Sequence, residues 1–377
     1  MSAGPLRLIE DPAEFAALLG NLKNELLIAV DTEAASFHRH LDRVYLLQLS
    51  TRTQTWIVDP LAVVGLPGFG DFLADPGIEF VFHDADYDLR LLAHEFGFRV
   101  ARVFDTRVAA QFLNETAVGL AALLEKYFRV RLDKRFQRAD WSVRPLLPAM
   151  LDYAATDTRH LAELRDVLRQ RLVEAGRLSW LEEECELLRE VRWPEPEPAA
   201  AAALGIKGAR ALNPRALAVF RELYVWRDGL AQTLDRAAFR ILGNEALFAM
   251  AEHPPAEAEA LRKVRGLGGK MRERQGKEIL AAVRRGLALP EHELPRFARA
   301  PRHRPDPAFE RRLERLKSIR IVESARLALP PGVLAPNWLL EAVARSAPAT
   351  PDELAQVPGI RRWQQNLLGK QFLGAVR

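Results

Sequence analysis

VFHDADYDLRLLAHEF (residues 81–96) joins an apolar run to an amphipathic helix, and Asp84, Asp86 and Asp88 crowd the junction. Leu89, Leu91, Leu92 and Phe96 give that helix one apolar face. Acids at a helix start are favoured by the helix dipole, so the junction alone requires nothing more than a charged first turn. Like charges packed this densely also repel unless cations lie among them. The question is whether carboxylates from elsewhere converge on the same place.

On the N-terminal side, residues 11–20 (DPAEFAALLG) read as a capped helix ending at Gly20. LLIAVDTE gives a buried-type strand over residues 26–30, and strand alternation puts the following Asp31 and Glu33 on one face. VYLLQLS (44–50) and TWIVDP (55–60), separated by a short polar turn, read as a hairpin. A helix near residues 68–73 then leads to the strand GIEFVFHD. On the C-terminal side, VARVFDT is a short strand ending at Asp105, which with Thr106 caps a helix starting near Arg107. Helices are predicted over 107–113, 120–127, 148–174 and 179–191. Antiparallel strands followed by strand–helix alternation imply an α/β mixed sheet flanked by helices. Within MLDYAATDTRHL (150–161), Tyr153 and Asp157 are four apart and share a helix face. Four acids and a phenol are thus available to one site.

The totals bound the class. The chain has 377 residues, enough for two or three domains, with 49% hydrophobic and 28% charged content. No apolar run approaches a membrane span and residues 1–30 carry no secretion signal, so the cytoplasm is the expected location. The single Cys185 excludes an internal disulfide and thiolate zinc sites, and packing is its expected role. Residues 1–194 have a net charge of −7 and residues 195–377 one of +11. An acidic front half suits cations, and a basic back half suits an anionic polymer.

WPEPEPAAAAALG (193–205) reads as an extended linker whose alanines add little to any core, and a second Pro-rich linker spans roughly 287–307. The segments after these linkers repeat at a constant offset of 93: Asn244, Leu261, Gly266 and Gly276 recur as Asn337, Leu354, Gly359 and Gly369. Such a gapless offset indicates two copies of one small helical module. Each copy has a helix, a Pro break, a short helix, a Gly turn and a final helix. The turn at Gly266 and Gly268 either offers backbone N–H groups to a phosphate or serves tight helix packing.

DTE (Asp31, Glu33), H-x-A-x-x-D (His83, Ala85, Asp88) and Y-x-x-x-D (Tyr153, Asp157), in this order, closely resemble the DEDD exonuclease superfamily and, within it, the ribonuclease D family. Lys134, Gln137, Asp140-Trp141 and Arg144-Pro145-Leu146 are similar to the family's stretch before the last block. The repeats look like HRDC domains, the helical module shared by RecQ-type helicases and ribonuclease D. The second copy departs most, with Ile360-Arg361 in place of Leu267-Gly268. The resemblance implies a ribonuclease H-like exonuclease domain over 1–194, a linker over 195–208 and an all-α HRDC domain over 209–289. A linker over 290–306 and a second HRDC-like domain over 307–377 complete the expected organisation.

The implied activity is metal-dependent 3′–5′ exoribonuclease action on structured RNA such as tRNA precursors, releasing nucleoside 5′-monophosphates. The implied cofactors are two Mg²⁺ or Mn²⁺ ions, hard cations that take carboxylate oxygens. By the family's pattern Asp31 bridges both ions, Glu33 and Asp157 complete the first site, and Asp88 holds the second, partly through water. Tyr153 orients the attacking water and assigns the chain to the Tyr subclass. Asp84 and Asp86 are not expected to be ligands, and His83 is expected to be structural. Lys134, Arg135, Arg138 and Arg144 are expected either to hold phosphates near the site or to be solvated loop charges. The expected partner is RNA, bound by a monomer. DNA stays open as an alternative, since no residue decides the sugar. A catalytically silent nucleic-acid-binding protein is the other alternative.

Overall fold

The computed structural model describes residues 6–133, 135–297 and 306–377. It opens with a strand, β1 (Leu6–Ile9), too short to show a period in the sequence. In α1 (Pro12–Leu22), Asp11 accepts from the N–H groups of Ala13 and Glu14. The helix passes through Gly20, where a stop was expected, because Leu22 extends the buried stripe of Phe15, Leu18 and Leu19. Burying such a side chain gives ~2 kcal/mol, more than the ~1 kcal/mol that a helical glycine costs.

β2 (Leu27–Glu33), β3 (Leu46–Ser50) and β4 (Thr55–Val58) follow, and the expected β3–β4 hairpin forms. Next come α2 (Phe69–Leu73), β5 (Glu79–Phe82), α3 (Asp86–Phe96) and β6 (Val103–Asp105). The sheet order is β1-β4-β3-β2-β5-β6, with β3 alone antiparallel to its neighbours. Alternation sorts the two faces. Ile28, Val30, Leu47, Leu49, Phe80 and Phe82 pack under α1, α2 and α3. Ala29 and Val81 point the other way, toward the helices that follow.

Those helices are α4 (Thr106–Phe112), α5 (Leu120–Phe128), α6 (Pro148–Arg159), α7 (Leu161–Glu174) and α8 (Leu178–Leu188), the last with Cys185 buried. The single helix expected over 148–174 is therefore two, broken at His160 with neither Gly nor Pro to mark it. Packing turns the chain: α6 lies on β2, β3 and β4, whereas α7 lies on β2, β5 and α4. Thr158, fully buried, shares a 2.7 Å hydroxyl hydrogen bond with Ser50 of β3.

The alanine run read as linker forms α9 (Ala199–Gly205), which packs on α10 (Pro214–Thr233) and buries Ala203 in the first repeat's core. Small side chains let the two helices approach closely, which is what an alanine run contributes. α11 (Ala238–Ile241), α12 (Asn244–Glu252) and α13 (Gly269–Ala288) complete that module. The second comprises α14 (Pro307–Leu327), α15 (Pro331–Leu334), α16 (Asn337–Ser346), α17 (Pro351–Ala355) and α18 (Arg362–Val376). The repeat thus begins earlier than the sequence identity suggested, since α10 and α14 start 93 residues apart. An identical clasp marks the equivalence. Arg227 Nη1 donates to Leu242 O (2.9 Å) and Asn244 Oδ1 (2.7 Å). Arg320 Nη1 does the same to Ala335 O (2.9 Å) and Asn337 Oδ1 (2.8 Å).

Asp105 ties β6 to the start of α3. Its carboxylate caps α4 through the N–H groups of Arg107 and Val108, as expected. It also receives the N–H groups of Asp84 (3.1 Å) and Ala85 (2.8 Å), where Asp84 takes a left-handed φ of 68°. Asp105→Ala is expected to cost about 2–3 kcal/mol, since it strands buried N–H groups and removes a helix cap. The urea midpoint of the full chain checks this.

Candidate active site

Asp31 and Glu33 lie on β2 with side chains on the α6 face, and α6 brings Asp157 over them. One oxygen from each of these three carboxylates lies within 4.8 Å of the others. Asp88, in the first turn of α3, is buried beside them, and its Oδ1 accepts from both the backbone N–H (3.1 Å) and the hydroxyl of Thr32. Thr32 is the residue between Asp31 and Glu33, so alternation turns it toward α3 while the two acids face α6. Tyr153, one turn before Asp157, is half-buried between Phe136 (5.9 Å between ring centroids) and Trp141 (6.1 Å).

The electrostatics call for cations. Burial, then the charges of Asp88, Asp157 and Glu33, hold Asp31 well above the usual carboxylate range. Burial and the charges of Asp157 and Asp88 do the same to Glu33. Burial pushes Asp157 up to about 7, and Asp88 to about 7 despite its Thr32 hydrogen bonds. Among the described residues no arginine or lysine forms an ion pair with any of the four; the nearby arginines pair with Asp84, Asp86 and Asp133 instead. The donor set is all carboxylate, which fits hard divalent cations such as Mg²⁺ or Mn²⁺ and not thiolate-loving metals. Burial and the charges of Asp157, Glu33 and Asp31 also raise the Tyr153 phenol, so at neutral pH it keeps its proton.

Two cavities flank the cluster. One, about 500 Å³, is lined by Asp31, His83, Tyr153, Asp157 and the first turn of α5 at Gly119–Leu120. The other, about 250 Å³, is lined by Arg135, Asp152, Tyr153 and Asp157. A larger cavity of about 810 Å³ lies at the β1 edge, around Arg7, Glu14 and Trp56, and takes no part in the site.

Other residues fall out differently. Asp84 pairs with Arg107 and Asp86 with Arg90, so neither joins the cluster. Thr106 donates its hydroxyl to Phe82 O (2.9 Å) and therefore accepts from Nδ1–H of His83 (2.9 Å). Burial and nearby Arg107 lower His83 to about 4, which leaves a neutral ring whose Nε2 is an acceptor. Arg135 lines the smaller cavity and pairs with Asp133. Arg138 lies over the Phe37 ring at 5.1 Å, on the loop flanking the site. Arg144 is corrected: its guanidinium holds Asp59 Oδ1 (2.8 Å), Tyr45 O (2.8 Å) and Trp141 O (2.8 Å), leaving nothing for a phosphate. Lys134 lies outside the described residues. Gly266, at φ +83°, makes the turn before α13, and Gly268 is the N-cap of that helix, far along the chain from the acids.

Sequence reasoning missed two supports. Thr32 could have been found as the residue between two acids on a strand. Gln48 could not. It is the cross-strand partner of Asp31 and is fully buried, with neither amide atom hydrogen-bonded. A polar side chain so placed is costly to the fold, a mark of residues kept for a site.

Residues 6–173 match the 3′–5′ exonuclease family, and residues 216–283 and 309–376 each match the HRDC domain. Ribonuclease D of Granulibacter bethesdensis is 32% identical over 371 residues, covering 97% of this chain and 91% of that protein. Ribonuclease D of Nitrobacter hamburgensis is 32% identical over 369 residues, covering 97% and 94%. Among solved structures, Escherichia coli RNase D, described as an exoribonuclease involved in structured RNA processing, aligns with a TM-score of 0.72 at 25% identity, covering 100% and 99%. The catalytic core of RRP6 from Trypanosoma brucei aligns with a TM-score of 0.69 at 31% identity, covering 76% and 81%.

The raised carboxyl groups make stability depend on pH. A folded-state pKa near 7 against an unfolded value near 4 means the native site holds its protons more tightly than the unfolded chain. The metal-free protein is therefore expected to lose this contribution as pH rises from about 4 to about 7. Mg²⁺ or Mn²⁺ should restore it, more at pH 8 than at pH 5. Thermal melts with chelator or metal check this, and Asp157→Asn should flatten both dependences.

Proposed function

The chain belongs to the ribonuclease D family, and from that membership and its carboxylate cluster we propose that it removes nucleotides one at a time from RNA 3′ ends. The observation that carries the reading is the meeting of Asp31, Glu33 and Asp157 within 4.8 Å, with Asp88 and Tyr153 alongside. The substrate class we assign is structured RNA with a single-stranded 3′ end, as in tRNA precursors. The net charge of +11 after residue 194 supports this, as does the description of the E. coli relative. Among the described residues no helix is long and apolar enough to cross a membrane. With bacterial relatives, this supports a cytoplasmic place of work.

Asp31, Glu33, Asp88 and Asp157 would hold two divalent cations, Mg²⁺ or Mn²⁺. When bound, such ions acidify water and shield charge growing on the phosphoryl oxygens. Asp31, whose carboxyl feels the charges of Asp88, Asp157 and Glu33, would share in holding both ions. Thr32 keeps Asp88 in one rotamer by gripping the same oxygen twice. Tyr153 keeps its proton and donates or accepts a hydrogen bond that aims the attacking water along the line of the scissile bond; it is no general base. Arg135, which lines the smaller cavity and pairs there with Asp133, would meet a phosphate of the incoming strand. Attack at phosphorus with departure of the 3′ oxygen of the preceding nucleotide releases a nucleoside 5′-monophosphate.

End-labelled RNA tests this directly. The 3′ label should leave first as mononucleotide, a chelator should stop the reaction, and matched DNA should be the poorer substrate. Asp31→Asn is expected to lower turnover by at least about 100-fold, and Tyr153→Phe by about 10- to 100-fold with little change in KM. Release of the 5′ label first, or turnover indifferent to Asp31→Asn, would overturn the assignment.

A further inference from the structure

The offset of 93 lets the two helical copies be compared residue by residue at one corner, the Gly turn that opens the last helix. There the first copy carries Arg262, Lys263, Arg265, Lys270 and Arg272. At the equivalent positions the second has Ala355, Gln356, Pro358, Trp363 and Gln365, and it gains Arg361 and Arg362 where the first has Gly268 and Gly269. The turn itself is kept: Gly266 and Gly359 turn at φ +83° and +80°. The same turn thus carries five basic side chains in the first copy and two in the second.

The second copy's corner is already occupied. The N–H groups of Arg362 (2.7 Å) and Trp363 (3.0 Å), opening α18, donate to the two oxygens of Glu183 on α8. Arg361 Nε meets Glu184 at 2.9 Å and Arg362 Nη2 meets Glu186 at 2.9 Å. Trp363, 4% exposed, lies flat on Trp180 at 4.8 Å and edge-on to Phe112 at 5.4 Å. One apolar core runs unbroken from Phe112, Leu181 and Cys185 into Val357, Trp363 and Leu368. An anion does bind at this helix N-terminus, and it is a carboxylate of the exonuclease domain.

In the first copy the same corner is open. Lys263, Arg265 and Lys270 are exposed and make no ion pair among the described residues. Arg272 braces the turn by donating to Leu267 O at 3.1 Å, and among the described residues no side chain caps α13.

We propose that the two copies divide this corner between two tasks. The second uses it to clamp the exonuclease domain and does not bind RNA there. The first keeps it for RNA phosphates, with Lys263, Arg265, Lys270 and the start of α13 as the contact. The inference rests on the RNA reading above. Its physical basis is that the N–H groups which hold Glu183 in one copy are presented, with added positive charge, to solvent in the other.

Binding of a hairpin RNA with a single-stranded 3′ tail to the full-length chain, with chelator to prevent hydrolysis, separates the copies. K263A/R265A/K270A is expected to weaken binding on the order of 10-fold and to reduce the log–log salt slope by roughly 2, about 0.7–0.9 per phosphate contact. R361A/R362A should leave affinity and slope unchanged. Glu183→Gln, a milder change that keeps the fold, should instead speed amide exchange at Arg362 and Trp363. Loss of affinity in R361A/R362A comparable to that of the triple variant overturns the division, and so does a triple variant that binds like the parent. Failure of the unaltered chain to bind the hairpin would sink the RNA reading itself.

Discussion

Mutual repulsion among closely packed carboxylates is the constraint that the exonuclease domain is built to contain. Three oxygens within 4.8 Å of one another cost about 3 kcal/mol per pair at an effective dielectric of ~20, or ~10 kcal/mol if all are ionised. That equals the whole net stability of a typical domain, about 5–15 kcal/mol. The site can therefore exist only with protons or cations among the acids, and the rest of the domain supplies what holds it. Alternation on β2 points Asp31 and Glu33 at α6, Thr32 grips Asp88, and Asp105 fixes the loop from which α3 departs.

The helical half obeys a different logic. The Arg227 and Arg320 clasps, with matching distances, show one module used twice. Both copies are also anchored to the exonuclease domain, but at different corners. The second docks through Trp363 on Trp180. The first docks at the turn after α10, where Asp235 accepts from the His40 N–H (3.2 Å) and Ala237 N–H donates to His38 O (3.1 Å). The loop it grips carries Phe37 under Arg138 and Ser36 against Tyr87 of α3. The position of the first copy is thereby tied to the loop after β2 and, through Tyr87, to α3, the helix that carries Asp88.

Much was legible because it is local or periodic. Strand alternation placed Asp31 with Glu33, helical spacing placed Tyr153 with Asp157, and a constant offset exposed the repeat. The errors were of another kind. Helices were ended by local stop signals at Gly20 or extended past His160, and in each case burial against a partner decided otherwise. The alanine run looked empty of packing value until α10 was there to receive it. Arg144 read as either a phosphate contact or a solvated loop charge because its charge is visible in the sequence and its partner, Asp59, is 85 residues away.

By itself the sequence determined the element types, the residues able to hold cations, the duplicated module and the sign of charge in each half. These follow from periodicity and side-chain chemistry, which are properties of neighbours in the chain. Only the tertiary structure decided which acids meet, that Gln48 lies unpartnered across from Asp31, and that one Gly turn is covered while its twin is free. Those outcomes depend on distances between segments far apart in the chain. Such distances are set by how apolar faces pack, and no local pattern carries that information.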